Sequence, residues 1–146
     1  MRKIKWGVIG CGGIADIRTI PGMLLAENAE LTAVMDRNAE VSAKVGKKYG
    51  VFFTDSMEEF LRKDIDAVYI ATPVFCHKEQ VLLAADAGKH ILLEKPMGMS
   101  AEDGIEMAKY CREHGVLLGV GFMMRLHGAH KEIKKLISLY VYDSIY

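Results

Sequence analysis

The stretch IKWGVIGCGGIA, residues 4–15, decides the fold. Its first six residues are mostly apolar and predict a buried strand, Ile4–Ile9. Gly10, Gly12 and Ala15 follow with the spacing G-x-G-x-x-A, at the point where a strand turns into a helix. In such a unit the first glycine permits a tight turn, the second lets phosphates approach the backbone, and the small third residue keeps helix and strand close. The stretch therefore predicts a strand–turn–helix unit whose turn binds a pyrophosphate.

Strand-like and helix-like segments alternate along the rest of the chain. Short apolar runs predict six strands, at Ile4–Ile9, Leu31–Met35, Val51–Phe53, Ala67–Ala71, His90–Leu93 and Val116–Val120. Longer segments between and after them predict helices near Gly13–Ala26, Ala39–Tyr49, Ser56–Arg62, Cys76–Ala87, Ser100–Glu113 and Ala129–Leu139. This alternation implies right-handed crossovers and an α/β fold with a doubly wound parallel sheet, the Rossmann fold, as a single domain over residues 1–137.

Composition excludes several classes of function. The 146 residues fit one domain, and 51% of them are hydrophobic and 26% charged, which is ordinary for a globular protein. The formal net charge is zero, whereas a general nucleic-acid binder has a basic excess. The three cysteines lack paired spacing, which favours a reducing, cytoplasmic location over a disulfide-bonded protein. The uncharged stretch Gly115–Met124 is too short to span a bilayer, so no membrane partner is expected.

The turn and the end of the second strand predict a dinucleotide site. Backbone N–H groups and the helix dipole can hold a diphosphate without a charged side chain, and the residues expected to contact it are Gly10, Cys11, Gly12, Gly13 and Ile14. Asp36 ends the second strand, 21 residues after Ala15, where a carboxylate accepts the ribose hydroxyls and repels a 2′-phosphate. This favours NAD, while Arg37 beside it leaves NADP as an alternative.

Cys11 has two interpretations. A thiol at a helix N-terminus is expected to have a lowered pKa and to oxidise readily. Alternatively, Cys11 is a small residue that fills the loop and presents only its backbone.

Two further loops should face the same ligand, because ligands of open α/β sheets lie beyond the carboxyl ends of the strands. Thr72 and Pro73 follow the fourth strand, and His77 comes just after them at the start of a helix. His77 is a candidate for the nicotinamide end, although a histidine at a helix start is more often structural. Glu94 and Lys95 follow the fifth strand, where the lysine ammonium could donate hydrogen bonds to a ribose or substrate hydroxyl. A solvated loop lysine is the alternative.

Taken together, these pieces resemble the glucose-fructose oxidoreductase / inositol dehydrogenase / rhizopine-catabolism family of NAD(P)-dependent dehydrogenases. The matching pieces cover about residues 3–137 and are Gly10–Ala15, Asp36-Arg37, Ala71-Thr72-Pro73 with His77, Gly88-Lys89-His90 leading into Glu94-Lys95-Pro96, and Gly121-Phe122-Met123-Met124-Arg125. The resemblance implies that Thr72 and Pro73 line the nucleotide and that Lys95 is catalytic, contacting substrate and nicotinamide ribose. It further implies that Glu94 helps to fix the loop and that the Lys95–Pro96 bond is cis. The expected activity is hydride transfer between the cofactor and a carbon bearing a hydroxyl group, on a sugar or cyclitol.

The C-terminal end departs from that family. Its members continue into a second α/β domain that supplies most substrate contacts, the proton-transferring residue and the oligomer interface, whereas this sequence stops at Tyr146 with an atypical tail at 138–146. We favour a truncated protein, inactive alone, over a natural stand-alone domain or a tail that adds a strand. An exposed former domain interface predicts a homodimer.

Two other functions remain as alternatives. The first is a non-catalytic NAD(H)-binding sensor or assembly module. The second is an S-adenosylmethionine-dependent methyltransferase, which shares the glycine-rich turn but not Glu94-Lys95-Pro96. His127 and His130, with the lysines around them, predict a solvated helix face and no metal site.

Overall fold

The computed structural model describes the backbone of residues 2–141 and the side chains of residues 2–138. The strands are β1 (Ile4–Ile9), β2 (Ala29–Met35), β3 (Phe52–Thr54), β4 (Ala67–Ile70), β5 (His90–Leu93) and β6 (Leu118–Val120). The α-helices are α1 (Ile20–Leu24), α2 (Ala39–Tyr49), α3 (Met57–Leu61), α4 (His77–Asp86), α5 (Ala101–Glu113) and α6 (Gly128–Val141). A π-helical turn, Ala15–Thr19, precedes α1, and 3-10 turns at Val74–Cys76 and Met123–Leu126 precede α4 and α6.

All six strands lie in one sheet, in the order β3-β2-β1-β4-β5-β6. Every neighbouring pair is parallel. The order reverses between β1 and β4, and the carboxyl ends on either side of that point form the crevice where doubly wound folds bind their ligands. The predicted fold is confirmed.

Helices cover both faces of this sheet. On one face, Phe60 of α3, Val81 of α4 and Met107 of α5 are buried against alternate residues of the strands. On the other face, Ile20 of α1 and Val45 of α2 are buried among the intervening strand residues. Burial on both faces explains why the strands are apolar throughout rather than alternating.

The helix ends follow local signals that the sequence carries. The side chains of Asn38, Ser56 and Ser100 accept hydrogen bonds from backbone N–H groups in the first turns of α2, α3 and α5. Such caps satisfy donors that have no partner inside the helix. Gly88 and Gly115 lie just beyond helix ends with φ of 68°, in the left-handed region that glycine adopts readily.

The first helix differs from the prediction in its geometry. It runs from Gly13 to Leu24, but its middle is the π-helical turn Ala15–Thr19. Pro21 explains the difference, since proline has no N–H for the carbonyl one turn back and forces local rearrangement of the helix.

The C-terminal helix is longer than predicted. Because α6 continues to Val141, residues 138–141 are helical and do not add a strand; the rest of the predicted tail lies outside the described residues. No helix in the described part of the chain is long and apolar enough to cross a membrane.

Candidate cofactor site

The turn after β1 is bonded to the neighbouring strand. The N–H groups of Gly10 and Cys11 both donate to the carbonyl oxygen of Met35, at 2.8 and 3.2 Å. Gly10 has a φ of 76°, and a Cβ there would lie 2.7 Å from Cγ2 of Thr72. Only glycine fits this position, because both the backbone conformation and the contact with the loop after β4 exclude a side chain.

The next three backbone N–H groups can receive an anion. Within residues 2–141, the N–H groups of Gly12, Gly13 and Ile14 donate to no protein acceptor, and the helix begins at Gly13. Gly13 has a φ of 51° and its Cβ position is open, with nothing within 4 Å. Unpaired N–H groups at a helix start suit a pyrophosphate. The residues present therefore fit the diphosphate, with Gly10 shaping the turn rather than donating to it.

Cys11 does not behave as a reactive thiol. Its side chain is fully buried in the core on the α1–α2 side of the sheet. Burial, together with the nearby Asp36 carboxylate, raises the pKa of the Cys11 thiol to about 12. The predicted lowered pKa is wrong, because the side chain points into the core and away from the helix N-terminus. With its N–H bonded to Met35, Cys11 contributes to the shape of the loop and does not line the cleft.

Asp36 stands at the end of β2, half-buried, beside the turn. Its Oδ1 accepts a hydrogen bond from the N–H of Asn38 at 3.0 Å. Its Oδ2 points toward Gly12, since a Cβ at Gly12 would be 3.7 Å from that oxygen. One carboxylate oxygen is thus held by the protein, while the other faces the approach to the glycine-rich turn.

These groups share one cleft of about 340 Å³. It brings together eight of the predicted residues, Gly10, Gly12, Gly13, Ile14, Asp36, Arg37, Thr72 and Pro73. It also contains residues that the sequence reasoning missed, among them Val41, Cys76 and Gln80. Thr72 Oγ1 donates to Gln80 Oε1 at 2.5 Å. The spacing of four between Cys76 and Gln80 was the available signal, because it places both side chains on one face of a helix.

His77 is a support for two loops and not a ligand-facing group. The residue is 1% exposed. Its Nε2 lies 2.9 Å from the Thr72 carbonyl oxygen and its Nδ1 lies 3.0 Å from the Pro96 carbonyl oxygen. The prediction of a direct cofactor contact is not met, because the buried ring has no face open to a ligand. Instead the ring joins the loop after β4 to the loop after β5.

The loop after β5 carries the remaining predicted residues. The Lys95–Pro96 peptide bond is cis, as predicted. Glu94 is half-buried; its Oε2 accepts from the backbone N–H of Lys95 at 3.0 Å, and its Oε1 accepts from the Tyr69 hydroxyl at 2.7 Å. Lys95 is exposed and lines a second depression, with Gly121–Arg125 after β6. The sequence reasoning missed Tyr69, although a lone hydroxyl in the otherwise apolar β4 was a visible signal.

The geometry thus gives an anion cradle, formed by the unpaired N–H groups of Gly12, Gly13 and Ile14. The Asp36 carboxylate lies beside it, and the Glu94–Lys95 loop lies at the same carboxyl edge of the sheet. The family model described as "Oxidoreductase family, NAD-binding Rossmann fold" (Gfo/Idh/MocA) matches residues 4–122. This chain belongs to that family. The family match sets aside the methyltransferase alternative and confirms the predicted family and its nicotinamide dinucleotide cofactor.

Curated relatives of this Gfo/Idh/MocA domain act on several compounds. The 1,5-anhydro-D-fructose reductase of Ensifer adhaerens is 38% identical over 136 residues, which is 92% of this chain and 40% of that protein. The dTDP-3,4-didehydro-2,6-dideoxy-alpha-D-glucose 3-reductase of Streptomyces violaceoruber is 33% identical over 94% of this chain and 40% of its own length. The chain therefore spans about 40% of the length of these relatives.

Solved structures agree with this assignment. The WlbA dehydrogenase from Bordetella pertussis, in complex with NADH and UDP-GlcNAcA, superposes with a TM-score of 0.89 at 34% identity, covering 94% of this chain and 40% of that one. KijD10, a 3-ketoreductase from Actinomadura kijaniata in complex with TDP-benzene and NADP, has a TM-score of 0.88 at 30% identity, covering 94% and 44%. Both forms of the nicotinamide cofactor thus occur among its structural neighbours.

Proposed function

We propose that this domain holds a nicotinamide dinucleotide for hydride transfer to or from a carbon bearing a hydroxyl group, on a sugar or cyclitol. The observation that carries the proposal is the order of groups along the carboxyl edge of the sheet. The anion cradle and Asp36 lie after β1 and β2, while the Glu94–Lys95 loop and Gly121–Arg125 lie after β5 and β6. A dinucleotide bound across the switch point spans this distance, with its adenosine at one end and its nicotinamide at the other.

Each group has a distinct part in binding. Gly12, Gly13 and Ile14 would donate backbone hydrogen bonds to the pyrophosphate. The free oxygen of Asp36 would accept from the adenosine ribose, with Arg37 placed for a 2′-phosphate if NADP is used. Thr72 and Pro73 would line the middle of the cofactor, and Lys95 would donate to the nicotinamide ribose and to the substrate hydroxyl. The nicotinamide itself supplies the hydride chemistry when it is bound.

The substrate side needs more protein than this domain. The depression between Lys95 and Gly121–Arg125 is lined by Phe122, Met123 and Met124, which are all more than half exposed. Large apolar side chains in an open depression indicate a surface that further protein covers. We propose that a substrate domain covers this depression, like the part of the relatives that this chain does not match. We further propose that this chain on its own pairs as a homodimer. Light scattering across a range of protein concentrations tests the pairing, and a monomer at all concentrations would contradict it.

Ligand binding to this chain tests the placement of Lys95. Calorimetry with NAD⁺ and with ADP, which lacks both the nicotinamide and its ribose, measures how much affinity the nicotinamide end adds. Lys95→Ala should reduce that difference, because it removes the donor to the nicotinamide ribose. An unchanged difference would contradict the assignment of Lys95.

A turnover assay separates the enzyme from its alternative. The assay measures NADH formation from NAD⁺ with a panel of polyols and sugars. It is run with this chain alone and again with the second domain of a relative added. Turnover by the chain alone would contradict our expectation of inactivity. Cofactor binding without turnover in every combination would support a non-catalytic NAD(H)-binding module. The cytoplasmic location stays a prediction.

A further inference from the structure

We propose that Tyr69 is a positioning residue that couples the phosphate-binding helix to the Glu94–Lys95 loop. Through this link, the residue would set how well the nicotinamide half of the cofactor is held. The proposal rests on the placement of Lys95 at the nicotinamide ribose proposed above.

A continuous chain of hydrogen bonds carries the inference. Thr19 Oγ1 donates to the Tyr69 hydroxyl oxygen at 3.1 Å, and the Tyr69 O–H donates to Glu94 Oε1 at 2.7 Å. The second oxygen of Glu94 accepts from the Lys95 N–H at 3.0 Å. All donors and acceptors are used consistently, since the hydroxyl of Tyr69 accepts one bond and donates one. The chain therefore joins the end of the π-helical turn to the peptide group of Lys95.

The surroundings make the tyrosine a rigid part of this chain. The Tyr69 residue is 2% exposed and packs in the core on the α1–α2 side of the sheet. Burial raises the pKa of the Tyr69 hydroxyl above its usual range, so the group stays protonated and remains a donor at neutral pH. Neighbouring β4 residues Val68 and Ile70 pack on the opposite side. A purely apolar residue would fill the same space, so packing alone does not account for the hydroxyl group. Its hydrogen bond to Glu94 does.

Thr19, which bonds to Tyr69, belongs to the π-helical turn. The same helix begins with the free N–H groups proposed to hold the pyrophosphate, and Thr19 is the last residue of its π-helical turn. π-Helical turns inside helices are found frequently at functional sites. Here the turn connects the pyrophosphate end of the site with the loop at the other end.

Tyr69→Phe removes the hydroxyl and keeps the ring, so it tests the link directly. We expect the variant to bind NAD⁺ about three- to tenfold more weakly, because Glu94 loses a charge-assisted hydrogen bond and Lys95 its fixed position. The affinity for ADP should change by less than about twofold, because ADP ends at the pyrophosphate and does not reach Lys95. If Tyr69 only fills the core, the substitution should weaken the binding of both ligands equally or of neither.

Tyr49→Phe is the matched control. The Tyr49 hydroxyl donates to Oδ1 of Asp16 at 2.9 Å, on the same π-helical turn, but has no bond to Glu94. Tyr49→Phe should leave the ratio of the NAD⁺ affinity to the ADP affinity unchanged. Thr19→Val provides a second route that leaves the tyrosine in place, and it should shift the ratio in the same direction as Tyr69→Phe but less. The effects of Tyr69→Phe and Glu94→Gln should not add in the double variant, because both break one chain.

The outcomes separate the two proposals. The coupling is supported if the ratio of the NAD⁺ affinity to the ADP affinity falls in both Lys95→Ala and Tyr69→Phe. A ratio that falls in Lys95→Ala while Tyr69→Phe and Thr19→Val leave it unchanged overturns the coupling alone. A ratio that Lys95→Ala does not change overturns the placement of Lys95 and the coupling with it.

Discussion

Replacing Asp36 by asparagine should change which cofactor the domain prefers. The substitution removes the charge but keeps the shape, and the amide oxygen can still accept the hydrogen bond from the Asn38 N–H. The side-chain oxygen that points toward Gly12 becomes an NH₂ group if that orientation is retained. We therefore expect weaker NAD⁺ binding and stronger NADP⁺ binding, with little change in stability.

The magnitude follows from the position of this carboxylate. A bond to a charged acceptor contributes about 1 kcal/mol more than a neutral one, so NAD⁺ should lose about 1–2 kcal/mol over two ribose hydroxyls. For NADP⁺, two like charges about 4 Å apart repel by about 4 kcal/mol near a protein surface. The side chain is only half-buried, and exposure to solvent reduces that repulsion to about 1–2 kcal/mol. The two effects together should shift the ratio of the affinities by about 100-fold.

Calorimetric titration of both cofactors into both proteins measures this ratio. Asn38→Ala is the control, because the Asn38 side chain caps α2 by accepting from the N–H groups of Glu40 and Val41. Loss of the cap should cost about 1 kcal/mol of unfolding free energy and leave the cofactor ratio unchanged. A ratio that moves less than about threefold in Asp36→Asn would refute the view that this charge selects the cofactor.

Two further predictions concern packing and reactivity. Gly22→Ala should raise the free energy of unfolding by about 0.5–1 kcal/mol, because the position is open and helical. Gly46→Ala should lower the free energy of unfolding, since its Cβ would lie 2.5 Å from Cβ of Phe53. Urea titration checks the pair, and equal effects would contradict the packing argument. A thiol reagent should modify the partly exposed Cys76 in the folded protein and the buried Cys11 only after unfolding; modification of Cys11 at the rate of a free thiol would contradict its raised pKa.

Local patterns predict most of this fold. The strand β4 was expected at Ala67–Ala71 and lies at Ala67–Ile70, because a short apolar run between two helical segments allows little else. Helix caps such as Ser100 are also local, since the side chain bonds to a backbone group three residues away. The π-helical turn was not expected, because the geometry before a proline depends on how the helix packs.

The site was predicted less completely than the fold. Gly12 and Asp36, which both line the cleft, were predicted because their proposed roles need particular residue types at a known spacing. The sequence left two interpretations of Cys11 open, because a position in the motif does not say which side of the turn faces the core. The bond between Tyr69 and Glu94 joins residues 25 apart, and only the pairing of β4 with β5 brings them together. Contacts of that kind require the three-dimensional structure.

The N–H groups of Gly10 and Cys11, which donate to the Met35 carbonyl oxygen, affect how the domain binds its ligand. Because they tie the glycine-rich bend to β2, few backbone torsions are left to be ordered when a dinucleotide arrives. Association should therefore carry a small conformational entropy cost and leave the main chain of the bend nearly unmoved. The domain is preorganised at its phosphate end, so slow conformational adjustment during binding should come from the opposite end of the crevice.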